Sequence, residues 1–285
     1  MKIANKNVTA AFKSRGAELT SLQKDDQEYI WQADPDHWGR HAPVLFPFVG
    51  RLKRDQYLHN GHTFSVGQHG FARDREFEIV AHDSDSVTFR LTADQDTQRV
   101  YPFKFSLTIR YELNELGLNT NYTVINHGKD VMWFSIGGHP AFNCPMTDQE
   151  KRSDYWLEFE YAENLEAYLI EGGLLSGQKE PIAMSENKLV IGDHLFDQDA
   201  LVIKDFKSSE ISLCSAKGKW LTFHMKGFPY LGIWSKSEDS PFVCIEPWYG
   251  HADPANHNQQ LAEKEGILQL KQKESFSCNY VIQLH

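Results

Sequence analysis

A chain of 285 residues with 29 Lys and Arg against 39 Asp and Glu carries a formal charge of −10, and 41% of it is hydrophobic against 24% charged. That balance describes a soluble globular protein with a substantial core, and a pI near 5.7 argues against a nucleic-acid partner, whose mark is a basic face. No run approaches the roughly 18 apolar residues of a membrane span, and MKIANKNVTAAFKSRG lacks the apolar core of a secretory leader, so no membrane partner and a cytoplasmic setting are expected.

In chain order, strands are predicted at 8–12, 28–32, 76–82, 87–91, 105–113, 119–126, 156–161, 200–206, 210–215, 219–225, 230–235, 242–246 and 276–284. Their signal is period-two alternation: Phe105, Leu107, Ile109, Tyr111 and Leu113 make one apolar face, while Ser106, Thr108, Arg110 and Glu112 make the other wet. Asn114-Glu115-Leu116-Gly117 supplies turn chemistry, so a hairpin is expected between Leu113 and Leu118. After Asp253 a short peripheral helix is predicted, with Pro254 at its first position and Gly266 ending it. Many short strands without regular helices imply an all-β, antiparallel sandwich or barrel. The chain has no internal repeat or Pro/Gly/Ser linker, so residues 1–285 are expected to form one domain. Cys144, Cys214, Cys244 and Cys278 lie far apart without zinc or redox spacing and read as small buried apolar residues.

Two segments break the alternation, 31–75 and 136–153, and function is expected there because ligand groups tend to sit on loops of a rigid scaffold. Residues 40–75 hold Arg40, Arg51, Lys53, Arg54, Arg73 and Arg75 against Asp55 and Asp74, a local balance of +4. Salt-bridged surface arginines are one reading, and a site for an anionic or polyhydroxylated ligand is the other. Arg51, emerging from the apolar turn Pro47-Phe48-Val49-Gly50, is expected to point into a concave site. Six of the thirteen histidines fall between 37 and 82, but His59-x-x-His62 is not the i, i+4 pair of a helical zinc site, so no metal is expected. His139, in Gly137-Gly138-His139-Pro140, is either a satisfied loop histidine or a proton-transfer group. In Phe242-Val243-Cys244-Ile245-Glu246 alternation puts Phe242, Cys244 and Glu246 on one face, so a carboxylate ends an apolar row. Such a group is either paired structurally or kept for proton transfer. Trp248 and Tyr249 are either a platform for a sugar ring or ordinary core.

Taken together, PFVGRLKRD, QHGFARDREF, GGHPAFNCP and CIEPWYG resemble the aldose 1-epimerase (galactose mutarotase-like) family, in particular its LacX-type branch. The resemblance spans residues 47 to 250 and implies a large β-sandwich, the galactose mutarotase-like supersandwich, with a sugar-binding cleft across one sheet. By motif match it implies Arg51 and His69 as sugar-binding residues, His139 as general acid and Glu246 as general base. It also implies a hydroxyl-binding aspartate, which Asp199 matches best with Asp197 close by. Gly50-Arg51 stands where the galactose enzymes carry Asn-Arg, which leaves the sugar open. Arg73 matches an arginine of the hexose 6-phosphate branch.

The implied reaction interconverts the α and β anomers of an aldohexose. It needs one acid for the ring oxygen and one base for the anomeric hydroxyl, and no cofactor. The alternatives are a hexose 6-phosphate 1-epimerase, a glycoside hydrolase with Glu246 and Asp199 as its carboxylate pair, and a noncatalytic carbohydrate-binding protein. The expected partner is a small-molecule sugar or sugar phosphate, with self-association into a homodimer left open.

Overall fold

The computed structural model describes residues 1–285. The alternating segments pair into a nine-stranded antiparallel sheet in the order 188–190, 156–159, 210–215, 218–224, 275–284, 118–126, 105–113, 86–92, 78–82. The predicted hairpin supplies two adjacent strands of it, with Leu113 paired to Leu118 and Phe105 to Asn126. A second sheet of eight strands runs in the order 174–181, 166–171, 201–203, 230–234, 242–249, 136–138, 44–45, with 141–143 also pairing with 242–249. A four-stranded meander over residues 2–28 completes the main architecture. All-β antiparallel organisation is what the period-two pattern required.

One face of each large sheet is apolar, and those faces close on each other. Phe142 of the second sheet meets Phe223 of the first with ring centroids 6.1 Å apart, and both are fully buried. Val243 and Ile245 join the same core, whereas Phe242, Cys244, Glu246 and Trp248 project from the opposite face of that strand. The strand 242–249 therefore feeds the core with one set of side chains and leaves the other for a site. All four cysteines are buried and free, as small apolar residues would be.

Several boundaries differ from expectation. The strand expected at 28–32 ends at Glu28, with only Ile30 bridging to Phe142, and the strand at 242–246 continues to Tyr249. The helix expected after Asp253 is absent, and residues 254–266 hold only the 3₁₀ turn Leu261–Glu263. Asp253 does not cap because its carboxylate is engaged elsewhere: Lys264 Nζ donates to Oδ1 at 2.8 Å and the Lys53 backbone N–H to Oδ2 at 2.9 Å. The one α-helix is Gln95–Val100, started by an Asp94–Thr97 capping box that the periodicity did not reveal. His59 and His62 face each other across a tight hairpin. No helix is long and apolar enough to cross a membrane.

Candidate active site

The site begins with strand register. Gly137 pairs with Trp248 and Ala141 with Cys244, and the same register carried through the interruption between these strands sets His139 opposite Glu246. Two motifs about a hundred residues apart in sequence thus become cross-strand neighbours, with His139 Nδ1 3.3 Å from Glu246 Oε2. Both residues are buried, at 7% and 1% exposure. The two atoms are close but not aligned as a hydrogen bond, and neither has another partner.

Glu246 and His139 lie in a cavity of about 310 Å³ above the eight-stranded sheet. Trp248 forms part of its floor, and the indole fits because Gly137 and Gly232 lack side chains: a Cβ on either would stand 2.5 Å or less from it. Trp38 stacks on the His139 ring at 4.9 Å and Trp234 meets it edge-on at 5.6 Å. His139 is therefore boxed by aromatic rings on two sides. Asp199, at φ +75°, reaches the cavity from just before the strand Leu201–Ile203.

His69 closes another wall. Its backbone N–H donates to the Gly50 carbonyl at 2.9 Å, and the Gly50 N–H donates to its Nδ1 at 3.2 Å. Nδ1 is thereby the acceptor, which puts the ring proton on Nε2, 3.2 Å from the side-chain amide of Gln68. Arg73 also lines the cavity; it donates to the Gln68 carbonyl at 2.7 Å, and its Nε–H is buried without a partner. The cavity thus combines unpaired donors, a carboxylate and indole faces, which suits a ring bearing several hydroxyls.

Burial dominates the electrostatics. It holds the Glu246 carboxyl well above its ordinary range; Asp199 adds to this, and the nearby Trp248 indole, although not in hydrogen-bond geometry, partly opposes it. It pushes His139 down to about 3, with Arg73 and then Arg40 acting in the same direction. His69 is also held well below its usual value, by burial first and then by His139 and Arg73. Burial thus moves the two groups in opposite directions, each toward its neutral form. Perturbation of this kind is a property of functional sites.

Six of the seven sequence-derived site residues converge here: His139, Glu246, His69, Arg73, Asp199 and Trp248. Arg51 does not. Its guanidinium forms a two-pronged pair with Asp55, at 2.9 and 2.8 Å, donates to the Gly172 carbonyl, and leaves the side chain 42% exposed. The aspartate four residues on takes the fork that a concave site was expected to hold, and Arg51 instead supports the turn at Gly172-Gly173 that rims the cavity. Asp197 pairs with His194 at 3.0 Å and does not line the cavity, which leaves Asp199. Trp38, Gln68 and Trp234 were not anticipated. Only the placing of Trp38 and Gln68 within the irregular segment 31–75 hinted at them.

The basic cluster disperses in the same way. Arg40 pairs with Asp74 at 3.1 Å and Lys53 Nζ donates to the His257 carbonyl, while Arg75 lies over the Phe71 ring. Only Arg73, with Arg40 behind it, keeps a positive field at the cavity.

The sequence profile of the aldose 1-epimerase family matches residues 1–266. The LacX protein of Lactococcus lactis is 34% identical over 293 residues, covering 99% of this chain and 98% of that protein. A galactose mutarotase related enzyme from Lactobacillus acidophilus superposes with a TM-score of 0.95 at 35% identity, over all of this chain and 97% of the other. A galactose mutarotase-like protein from Lactobacillus casei gives 0.94 at 32% identity, over all of this chain and 99% of the other.

Proposed function

The chain belongs to the aldose 1-epimerase family, and from that premise we propose that its cavity opens and recloses the ring of an aldohexose, exchanging the α and β anomers. The observation that carries this reading is the unpartnered His139–Glu246 pair facing one another in a sugar-sized, indole-lined cavity.

In the proposed reaction Glu246 takes the proton of the anomeric hydroxyl while His139 delivers one to the ring oxygen, and the C1–O5 bond breaks to give the open aldehyde. Rotation about C1–C2 presents the other carbonyl face, and the same transfers in reverse reclose the ring. The pair ends with the protons it began with, so no exchange with bulk water is needed. The scheme starts from the form with His139 protonated and Glu246 ionised, one proton transfer across 3.3 Å from the neutral pair. Burial moves both groups toward their neutral forms, so hydrogen bonds from the sugar's own polar atoms are what offset the separation of charge. His69 Nε2–H, Arg73 and Asp199 are the groups offered to the sugar hydroxyls, and Trp248 and Trp38 offer faces for its C–H surface. Saturation-transfer NMR on a panel of hexoses tests the reading: a noncatalytic binding protein would give ligand line broadening without faster anomer exchange.

This scheme demands no cofactor. Anomer exchange is expected to survive exhaustive dialysis against EDTA at an unchanged or higher rate. Loss of activity restored by one equivalent of a divalent ion would instead make this a metalloenzyme.

A second reading, a hexose 6-phosphate substrate, is favoured by one observation. A basin of about 440 Å³ lined by Lys13, Arg15, Arg40, Arg73 and Asp74 adjoins the main cavity and shares Trp38 and Arg73 with it. A phosphate carried by a sugar in the cavity would find guanidinium donors there. On this reading Arg73→Ala lowers kcat/KM for the 6-phosphate about tenfold or more beyond its effect on the free hexose, and the difference shrinks at high salt. Equal losses on both substrates leave Arg73 as a hydroxyl donor and the free hexose as substrate.

A further inference from the structure

We propose that His139, Cys244 and Glu246 also form a binding site for a thiophilic divalent cation of the zinc class, whose occupancy blocks the proton-transfer pair. The binding itself stands on geometry alone; only the inhibition rests on the function proposed above.

The sequence could not reveal this set, because its spacing is tertiary. Cys244 lies two residues before Glu246 on the same face of the strand, and the register places His139 opposite Glu246. One ligand atom from each residue can be chosen so that all lie within 4.8 Å of one another. Around a four-coordinate zinc with bonds of about 2.0 to 2.3 Å, ligand atoms stand roughly 3.3 to 3.8 Å apart. His139 Nδ1 and Glu246 Oε2 already meet that separation at 3.3 Å. The sulfur has at most a modest distance to close, since one choice of ligand atoms already places all three within 4.8 Å.

The atoms themselves point the same way. Nδ1 of His139 and Oε2 of Glu246 belong to side chains more than nine-tenths buried, and both lack any hydrogen-bond partner. A buried polar atom left unpaired typically costs about 1–3 kcal/mol, so both atoms gain from a ligand that engages them together. A cation between them satisfies both at once. Imidazole, thiol and carboxylate together select zinc-like ions over magnesium or calcium, which take oxygen ligands. Three protein ligands leave a fourth position for a water, within reach of the cavity that His139 and Glu246 line. An ion held there occupies the lone pairs the reaction uses, so metal and productive sugar exclude one another.

Cobalt(II) titration into the full-length chelator-treated protein tests the site. One equivalent is expected to give thiolate-to-cobalt charge-transfer absorption and the intense visible bands of a four-coordinate ion, both displaced by Zn²⁺ and weakened by saturating sugar. Cys244→Ser should abolish the charge-transfer band and weaken binding well over about tenfold, since even changes outside the ligand set typically cost about 10- to 100-fold. In wild type, Zn²⁺ is expected to inhibit anomer exchange reversibly by EDTA, while Cys244→Ser keeps its metal-free rate and resists Zn²⁺. Should the serine variant fold poorly by circular dichroism, Cys244→Ala serves instead. Absence of the charge-transfer band in wild type, or its survival in the cysteine variants, overturns the site. If the protein exchanges no anomers, the cobalt spectrum still decides the metal question, so the two readings fail separately.

Discussion

Glu246→Gln and His139→Asn are each expected to slow anomer exchange by about 10²- to 10⁴-fold at saturating sugar, because each removes one of two groups that must move a proton. The double variant should lose little more than either single one, since half of a coupled transfer is as inert as none. Neither change should unfold the protein. The two facing atoms make no hydrogen bond that the neutral amides would break, so the cost in His139→Asn is confined to the imidazole's packing between Trp38 and Trp234. Rates within about threefold of wild type for either variant would remove these residues from the mechanism.

The same pair fixes the form of the pH profile. Productive turnover needs one mobile proton on the pair, available to His139 while Glu246 is ionised. Protonating both empties the base; His139, lowered to about 3, places that acidic limb far below neutrality. Losing the mobile proton empties the acid, and because burial raises Glu246 well above its ordinary value, the alkaline limb falls well above the usual carboxylate range. The pair titrates as a unit, so kcat should be bell-shaped against pH, and both single variants should abolish the bell along with the rate. A kcat in wild type that falls with rising pH through the usual carboxylate range would contradict the proton-transfer reading.

What the sequence made legible was local. The alternation from Phe105 to Leu113 and the turn at Asn114–Gly117 contain their own register, because hairpin partners are close in the chain. The identity of Glu246 as an odd carboxylate in an apolar row was legible for the same reason. That His139 stands opposite it was not, since the pairing of 136–143 with 242–249 is set by the whole sheet. Resemblance supplied that link in advance of the geometry. Arg51 shows the limit of reading direction from a turn: the apolar run before it said nothing of Asp55, whose carboxylate claims the guanidinium. Asp253-Pro254 carried a proper helix-start signal, yet Lys264 and the Lys53 backbone had stronger claims on the carboxylate. Trp38 and Trp234 were invisible because isolated tryptophans carry no periodic signature, and only the closed sheet brings both onto one imidazole.

The largest expected effect on stability lies away from the chemistry, at that same Asp253. Its carboxylate is 1% exposed and the Lys264 ammonium that pairs with it belongs to a residue 4% exposed, so neither charge is relieved by water. Lys264 Nζ also donates to the His251 carbonyl at 2.6 Å; burial lowers its pKa while Asp253 opposes that shift. Removing one partner of such a pair typically costs about 3–5 kcal/mol, because the other charge stays buried without compensation. Lys264→Met, which keeps the stem and deletes the charge, is expected to lower unfolding free energy by that amount in a urea titration. The damage should also reach the sugar. The Asp253 N–H donates to the Arg51 carbonyl and the Leu175 N–H to the Asp253 carbonyl, while Ala252 packs so tightly on Gly50 that a Cβ there would stand 2.6 Å from its backbone. Gly50 in turn holds the His69 ring through Nδ1. A loosened Asp253 loop therefore frees His69, raising KM more than it lowers kcat, since the His139–Glu246 strands do not depend on it. Adding Asp253→Asn to Lys264→Met removes the stranded charge and should recover a large part of the stability while leaving KM raised, because the amide cannot reproduce the clamp. A loss below about 1 kcal/mol in Lys264→Met, or a double variant no more stable than the single one, would mean that the uncompensated charge is not what the ammonium prevents.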